Sequence, residues 1–186
     1  TVEAFRDNPH LKTTNYHACL NAWKLANDAG CSEAILMNKH GIIFEGSRSN
    51  IVWIKNKKLF TRADGVLPGI TRQTILNLSP YPVEFGILHI ENINEINECF
   101  LTNSGSGIIP VTQINGENIG DGSVGTVTKQ LFSIEPGYEY MFGRYGQIIK
   151  HTLNDKTIEY LPVKRDMNIN LDNINLVKKK HILFSE

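Results

Sequence analysis

The sequence predicts an α+β fold, and three observations carry that prediction. Short apolar runs are separated by turn-forming clusters such as Asn38-Lys39-His40-Gly41 and Lys55-Asn56-Lys57-Lys58. Helical apolar spacing is confined to a few segments. Strands and helices mix without the strict alternation of a repeating βαβ pattern, and hairpin signals are frequent.

Taken in order, residues 1–11 read as irregular, with a turn favoured at Asn8-Pro9. From Thr14 to Ala29, Tyr16, Cys19, Leu20, Trp23, Leu25 and Ala26 fall at helical spacing, and Gly30 supplies a stop. This predicts a buried helix with Lys12 just ahead of it. Residues 34–37 form a short buried strand. Ile42-Ile43-Phe44 then runs to Glu45 and the small polar cluster Gly46-Ser47-Arg48-Ser49-Asn50. Residues 51–54 and 59–61 pair as strands around the turn at 55–58. Pro68 and Gly69 precede a helix that starts near Thr71, with apolar spacing through Leu78. Open backbone N–H groups at such a start, with the helix dipole behind them, suit a phosphate or carboxylate.

Residues 83–90 are a possible strand, and residues 93–98 a turn or short helix. Cys99-Phe100-Leu101-Thr102 is a strand that ends in Asn103-Ser104-Gly105-Ser106-Gly107. Residues 108–114 resume as a strand, and Pro110 marks it as an edge or a bend. Gly116, Gly120, Gly122 and Gly125 make a turn-rich stretch before a helix near residues 127–132. The character changes from Ile134. Residues 137–145 are rich in aromatic residues and glycine, and residues 147–153 and 157–163 suggest a hairpin around Asn154-Asp155-Lys156. The end, from Asp166, is rich in Asn and Lys and weakly patterned. A boundary near Glu135 divides the chain into residues 1–134 and 135–186.

Composition narrows the function classes. Hydrophobic content of 41% and charged content of 20% are ordinary for a globular protein, and 186 residues suffice for one good core. The formal net charge is zero, so no basic excess favours nucleic acid or an anionic membrane. The sequence has no bilayer-length apolar run and no signal-peptide pattern, so a cytoplasmic protein without a membrane partner is expected. Cys19, Cys31 and Cys99 are odd in number and widely spaced in apolar surroundings. They are expected to be reduced and packed rather than disulfide-bonded or zinc-binding. His10, His17, His40, His89, His151 and His181 lack metal-ligand spacing. Ser47 and Ser104 lack a nucleophile-elbow context, and the glycines at 120–125 lack the Lys-Ser/Thr of a phosphate loop.

Four motifs in order carry a resemblance. Leu11-Lys12-Thr13-Thr14-Asn15-Tyr16, Phe44-Glu45-Gly46-Ser47-Arg48-Ser49-Asn50, Leu67-Pro68-Gly69-Ile70-Thr71-Arg72, and Phe100-Leu101-Thr102-Asn103-Ser104 followed by Ile109-Pro110-Val111 resemble the larger domain of class IV aminotransferases. These fold-type IV pyridoxal-phosphate enzymes include branched-chain and D-amino-acid aminotransferases and aminodeoxychorismate lyase. The resemblance covers roughly residues 11–132. It implies the large domain of the D-amino-acid aminotransferase-like fold, a mixed or barrel-like sheet with flanking helices. It also implies pyridoxal 5'-phosphate as cofactor, an amino acid or 2-oxo acid as substrate, and a homodimer.

Residue by residue, the resemblance makes Lys12 the Schiff-base lysine, which must be partly deprotonated to attack a carbonyl. It makes Glu45 the anionic partner that keeps the pyridinium nitrogen protonated. Ile70 and Thr71 would hold the phosphate through backbone N–H groups and the Thr71 hydroxyl, with Ser104 adding a second hydroxyl. Leu67 would pack on the pyridine ring, or simply in the core. Tyr16 would hydrogen-bond near the Schiff base or fill the core. Asn50 is expected to stabilise a turn, and Arg48 to point outward. The family's smaller preceding domain, with its phosphate-gripping arginine, is almost absent from this sequence. Three functions are therefore expected to compete: amino transfer between an amino acid and a 2-oxo acid through Lys12, an aminodeoxychorismate lyase-like reaction, and a non-catalytic remnant of the fold.

Overall fold

The structure, a computed structural model, describes residues 1–4, 6, 8–135, 138–143, 146–152 and 158–162, with side chains through residue 131. Among these residues three α-helices, α1 (His17–Asp28), α2 (Ile70–Leu78) and α3 (Thr126–Phe132), and a 3-10 helix (Ile90–Glu95) accompany fifteen strands. The first nine strands build one mixed sheet. They are β1 (Val2–Glu3), β2 (Ile35–Met37), β3 (Ile42–Gly46), β4 (Asn50–Lys55), β5 (Lys58–Thr61), β6 (Val83–Phe85), β7 (Leu88–His89), β8 (Glu98–Asn103) and β9 (Gly107–Val111). β1–β2 and β5–β6 are parallel, and the other pairs of this sheet are antiparallel.

A small hairpin of β10 (Gln113–Ile114) and β11 (Glu117–Asn118) follows. A separate antiparallel sheet then contains β12 (Ser133–Glu135), β13 (Tyr138–Gly143), β14 (Gly146–Thr152) and β15 (Ile158–Pro162). The hairpin expected near residues 147–163 is the β14–β15 pair. Its turn residues, and the stretch from Asp166, lie outside the described residues.

β4 and β8 are the spine of the large sheet, and their sequences explain why. Neither alternates apolar with polar; each has a continuous apolar centre, residues 51–54 and 99–101, as strands covered on two faces do. Ile51, Trp53, Cys99 and Leu101 enter one buried cluster with Ile43, Leu88, Ile93 and Ile96. Val52, Ile54 and Phe100 enter another on the opposite face, against Ile75 and Leu76 of α2 and Val127 of α3. The period of two along each strand sorts its side chains between these clusters. A third cluster joins Cys19, Ala22 and Ala26 of α1 to Ala34 and Leu36. Glu98 anchors α3, accepting hydrogen bonds from Val127 N (3.0 Å), Thr128 N (2.7 Å) and Thr128 Oγ1 (2.7 Å).

The α+β class and the mixed sheet are as the sequence predicts, and the sheet is not a closed barrel. Several local expectations need correction. Residues 1–11 are not wholly irregular, because Val2–Glu3 pairs with Leu36–Met37. The first helix begins at His17 rather than Thr14, and its buried face is the small-residue stripe Cys19, Ala22 and Ala26. Leu20 and Leu25 are exposed instead. Residues 83–90 are two short strands rather than one. Cys31 is exposed, while Cys19 and Cys99 are buried; burial pushes the Cys99 thiol up to about 12. Among the described residues no helix is long and apolar enough to cross a membrane, and no cluster of His, Cys, Asp or Glu could hold a metal ion.

Phe100, with no exposed surface at the centre of the spine, tests the packing. Phe100→Ala is expected to lower the unfolding free energy by about 3–5 kcal/mol in urea titrations. A loss below about 1 kcal/mol would contradict the packing described.

Candidate active site

The four sequence motifs are separated along the chain, and the sheet brings them to one place. Glu45 is the penultimate residue of β3, and the single registered pair of β3 with β4 joins Glu45 to Asn50. The turn between them, Gly46–Ser49, is gathered by Glu33. That carboxylate accepts from Ser47 Oγ, from Ser49 Oγ (3.3 Å) and from Ala34 N (3.0 Å). The β4–β8 register pairs Asn50 with Thr102, which brings the turn after β8, and hence Ser104, beside the Glu45 end of β3. The loop from β5 returns through Leu67 to the start of α2.

A cavity of about 330 Å³ lies at this junction. Lys12, Tyr16, Glu45, Leu67, Ile70, Thr71 and Ser104 all line it, together with Arg6, His10, Arg48, Asn50 and Thr102. The seven residues singled out in the sequence therefore surround one space. Lys12 and Ser104 are exposed, Ile70 is 73% exposed at the rim, Tyr16 and Leu67 are half-buried, and Glu45 and Thr71 are buried.

Glu45 is the most constrained group. Its Oε2 accepts from Leu67 N (3.0 Å) and Asn50 Nδ2 (3.2 Å), and its Oε1 faces Arg6 Nη1 at 3.3 Å. The same Asn50 amide donates to the Leu67 carbonyl at 2.8 Å. Asn50 thus does more than stabilise its own turn: it clamps the end of β3 to the loop entering α2. Burial pushes the Glu45 carboxyl above its ordinary value, against the opposing pull of the Leu67 N–H and of the Arg6 and Arg72 guanidinium groups.

The start of α2 is open. Gly69 is its N-cap, and no side chain caps its first N–H groups, which have no partner within the helix. A Cβ at position 69 would run into Asn50 Oδ1, so only glycine lets the backbone pass this close to the clamp. Thr102, in the cavity wall, has a buried hydroxyl without a hydrogen-bond partner among the described residues. Arg48 turns aside: its guanidinium lies 4.7 Å from the Trp23 ring centroid and its Nε 4.0 Å from Glu33 Oε2.

Sequence reasoning missed Arg6. It pairs with Glu45 across 39 residues, donates from Nη2 to the Leu11 carbonyl (2.7 Å), and lies 5.4 Å from the Tyr16 ring centroid. Its segment carries no apolar periodicity, and a lone Arg before Asn8-Pro9 gives no signal of the partner it will meet.

The donor set fits a small anion that carries one protonated ring nitrogen. Arg6 and Lys12 stand with one carboxylate, Glu45, on one wall, and uncapped N–H groups and hydroxyls line the other.

Known proteins share this fold. Residues 1–114 match the family described as amino-transferase class IV. The chain is 35% identical over 132 residues to a protein of Methanocaldococcus jannaschii named putative branched-chain-amino-acid aminotransferase, spanning 67% of this chain and 45% of that one. Against an Aquifex aeolicus protein named probable branched-chain-amino-acid aminotransferase it is 37% identical over 109 residues, or 55% and 35% of the two chains. The T.th. branched-chain amino acid aminotransferase, solved in complex with N-(5'-phosphopyridoxyl)-L-glutamate, superposes with a TM-score of 0.64 at 26% identity, over 67% of this chain and 44% of that one. The Escherichia coli branched-chain amino acid aminotransferase gives 0.64 at 30% identity, over 70% and 46%. The fold is that of the class IV aminotransferases. The chain belongs to the class IV aminotransferase family, and it spans less than half the length of these relatives.

The buried carboxylate has a measurable signature. Glu45 binds its proton more tightly folded than unfolded, so stability falls as pH rises from the ordinary 4.5 through the raised folded value. The slope from one such group is at most about 1.4 kcal/mol per pH unit. Urea unfolding of the cofactor-free chain is expected to show this component, and Glu45→Gln to lack it. Parallel pH curves for the two proteins would contradict the burial described.

Proposed function

We propose that this chain is the cofactor-binding part of a pyridoxal-phosphate-dependent aminotransferase, moving an amino group from an amino acid to a 2-oxo acid. One observation carries the reading: a lysine, a buried carboxylate and an uncapped helix start face a single cavity from separate segments. Pyridoxal phosphate bound there would supply an electron sink that lets the substrate α-carbon lose its proton.

The chain's own groups have distinct tasks in this reading. Lys12 Nζ attaches the cofactor and moves the α-proton. Glu45 accepts a hydrogen bond from the protonated ring nitrogen. The Ile70 and Thr71 N–H groups, with the Thr71 and Ser104 hydroxyls, take the phosphate, where the α2 dipole favours negative charge. Leu67 packs against the ring face, and Tyr16 closes the side near Lys12. Residues 1–134 form the cofactor-binding part in this reading, and residues 135–186 have no role assigned. A homodimer follows from the same resemblance. The names of the relatives support amino transfer over a lyase reaction.

The test is turnover with an amino acid donor and a 2-oxo acid acceptor. Lys12→Ala is expected to abolish it, and Glu45→Gln to leave cofactor binding largely in place while lowering the rate at least roughly a hundredfold, as the loss of a charge-stabilising group does. Retained turnover in Lys12→Ala would remove the lysine from its role. Pyruvate release without any acceptor would mark a lyase instead.

A further inference from the structure

We propose that Arg6 is the positioning residue of this site, coupling the Glu45 carboxylate to the backbone step that presents Lys12. The proposal rests on the cofactor reading above for what the coupled groups act upon. The geometry itself is independent of it. Three segments that share no hydrogen-bond ladder meet at one guanidinium: the end of β3 through Glu45 Oε1 (3.3 Å), the segment before α1 through the Leu11 carbonyl (2.7 Å), and the N-cap of α1 through the Tyr16 ring (5.4 Å to the centroid). The Arg6 side chain is only 8% exposed, so this is an interior tie, where a charged pair is screened little.

A planar fork with donors at fixed angles can hold two acceptors on different segments at once; an ammonium is a point charge on a flexible stem. Arg6 uses that property, with Nη1 on the carboxylate and Nη2 on the carbonyl next to Lys12. Lys12 itself is exposed. The Leu11 carbonyl is therefore the anchored point from which its side chain reaches the cavity, and Leu11 N adds a bond to the Asn8 carbonyl at 2.9 Å.

The same contact has an electrostatic consequence. Glu45 sits between opposing influences: burial favours its neutral form, while Arg6, Arg72 on α2 and the Leu67 N–H favour its charge. Asn50 Nδ2 faces it from β4, Lys12, His10 and Tyr16 line the same cavity, and the Cys19 thiol on α1 lies within reach of its charge. Without Arg6, Arg72 would be the remaining cation pulling against burial. Glu45 would then hold its own proton to higher pH and would no longer offer a charged acceptor to a protonated ring nitrogen.

The test compares the full-length chain with Arg6→Met and Arg6→Lys. Glu45 is followed by its side-chain δ-carbon NMR signal, assigned by its loss in Glu45→Gln. Pyridoxal phosphate affinity is followed by absorbance. Arg6→Met is expected to raise the pH at which Glu45 titrates by about one unit or more, and to weaken pyridoxal phosphate binding roughly tenfold or more. Arg6→Lys restores the titration but not the affinity, because it returns the charge without the fork. An unmoved Glu45 titration in Arg6→Met would overturn the coupling, and full recovery of affinity in Arg6→Lys would overturn the positioning role. If the wild-type chain takes up no pyridoxal phosphate, the cofactor reading fails by itself, and the Glu45 titration still decides the tie to Arg6. Should Arg6→Met not fold, Arg6→Gln takes its place, with the same outcomes read.

Discussion

A carboxylate buried at the end of a strand is the constraint on which the site depends. Glu45 has 4% of its surface exposed, and a charge removed from water is tolerated only when it is paired and hydrogen-bonded. Its partners come from four places: Arg6 near the start of the chain, Asn50 across the hairpin, Leu67 in the loop and, through space, Arg72 on α2. Satisfying one side chain thus fixes the relative placement of the segments that wall the cavity. Asn50 serves both sides of this arrangement, giving its amide to the carboxylate and to the Leu67 carbonyl. The close approach of Gly69 to that amide sets where α2 begins.

The sheet supplies the rigidity that such an arrangement needs. β4 and β8 are buried on both faces, and their register fixes Asn50 opposite Thr102 to within a residue. A slip of one position would exchange every side chain between the two core clusters, so register is strongly specified here. The groups exposed to the cavity, Lys12 and Ser104, lie on turns and loops, where side chains can meet a ligand without leaving the core unfilled. Catalytic groups on loops held by a rigid scaffold are the ordinary way in which a fold hosts chemistry.

Much of this was legible in the sequence, and the rest was illegible for physical reasons. The strands around Asn56 and Lys57 were marked by apolar runs and a polar turn, and both turn residues take positive φ (53° and 59°), as a tight hairpin requires. The motifs around Lys12, Glu45, Thr71 and Ser104 were legible as local clusters, and only the fold brings them to one cavity. What was not legible depends on tertiary context. Leu20 and Leu25 have helical spacing with the core positions, yet the helix buries its small side chains Cys19, Ala22 and Ala26 instead. Val2–Glu3 is too short to show a period, and it pairs only because β2 offers a free edge. Arg6 has no local signature at all, because its meaning lies in a carboxylate 39 residues away.

In the proposed function, Lys12 would hold the aldehyde of pyridoxal phosphate and Glu45 its ring nitrogen. Its most direct test is to add pyridoxal phosphate to the purified chain, reduce with borohydride, and map the labelled peptide. The account predicts one pyridoxyl group per chain, on Lys12, with labelling suppressed by inorganic phosphate competing at the start of α2. A label spread over several lysines, or none on Lys12, would contradict it.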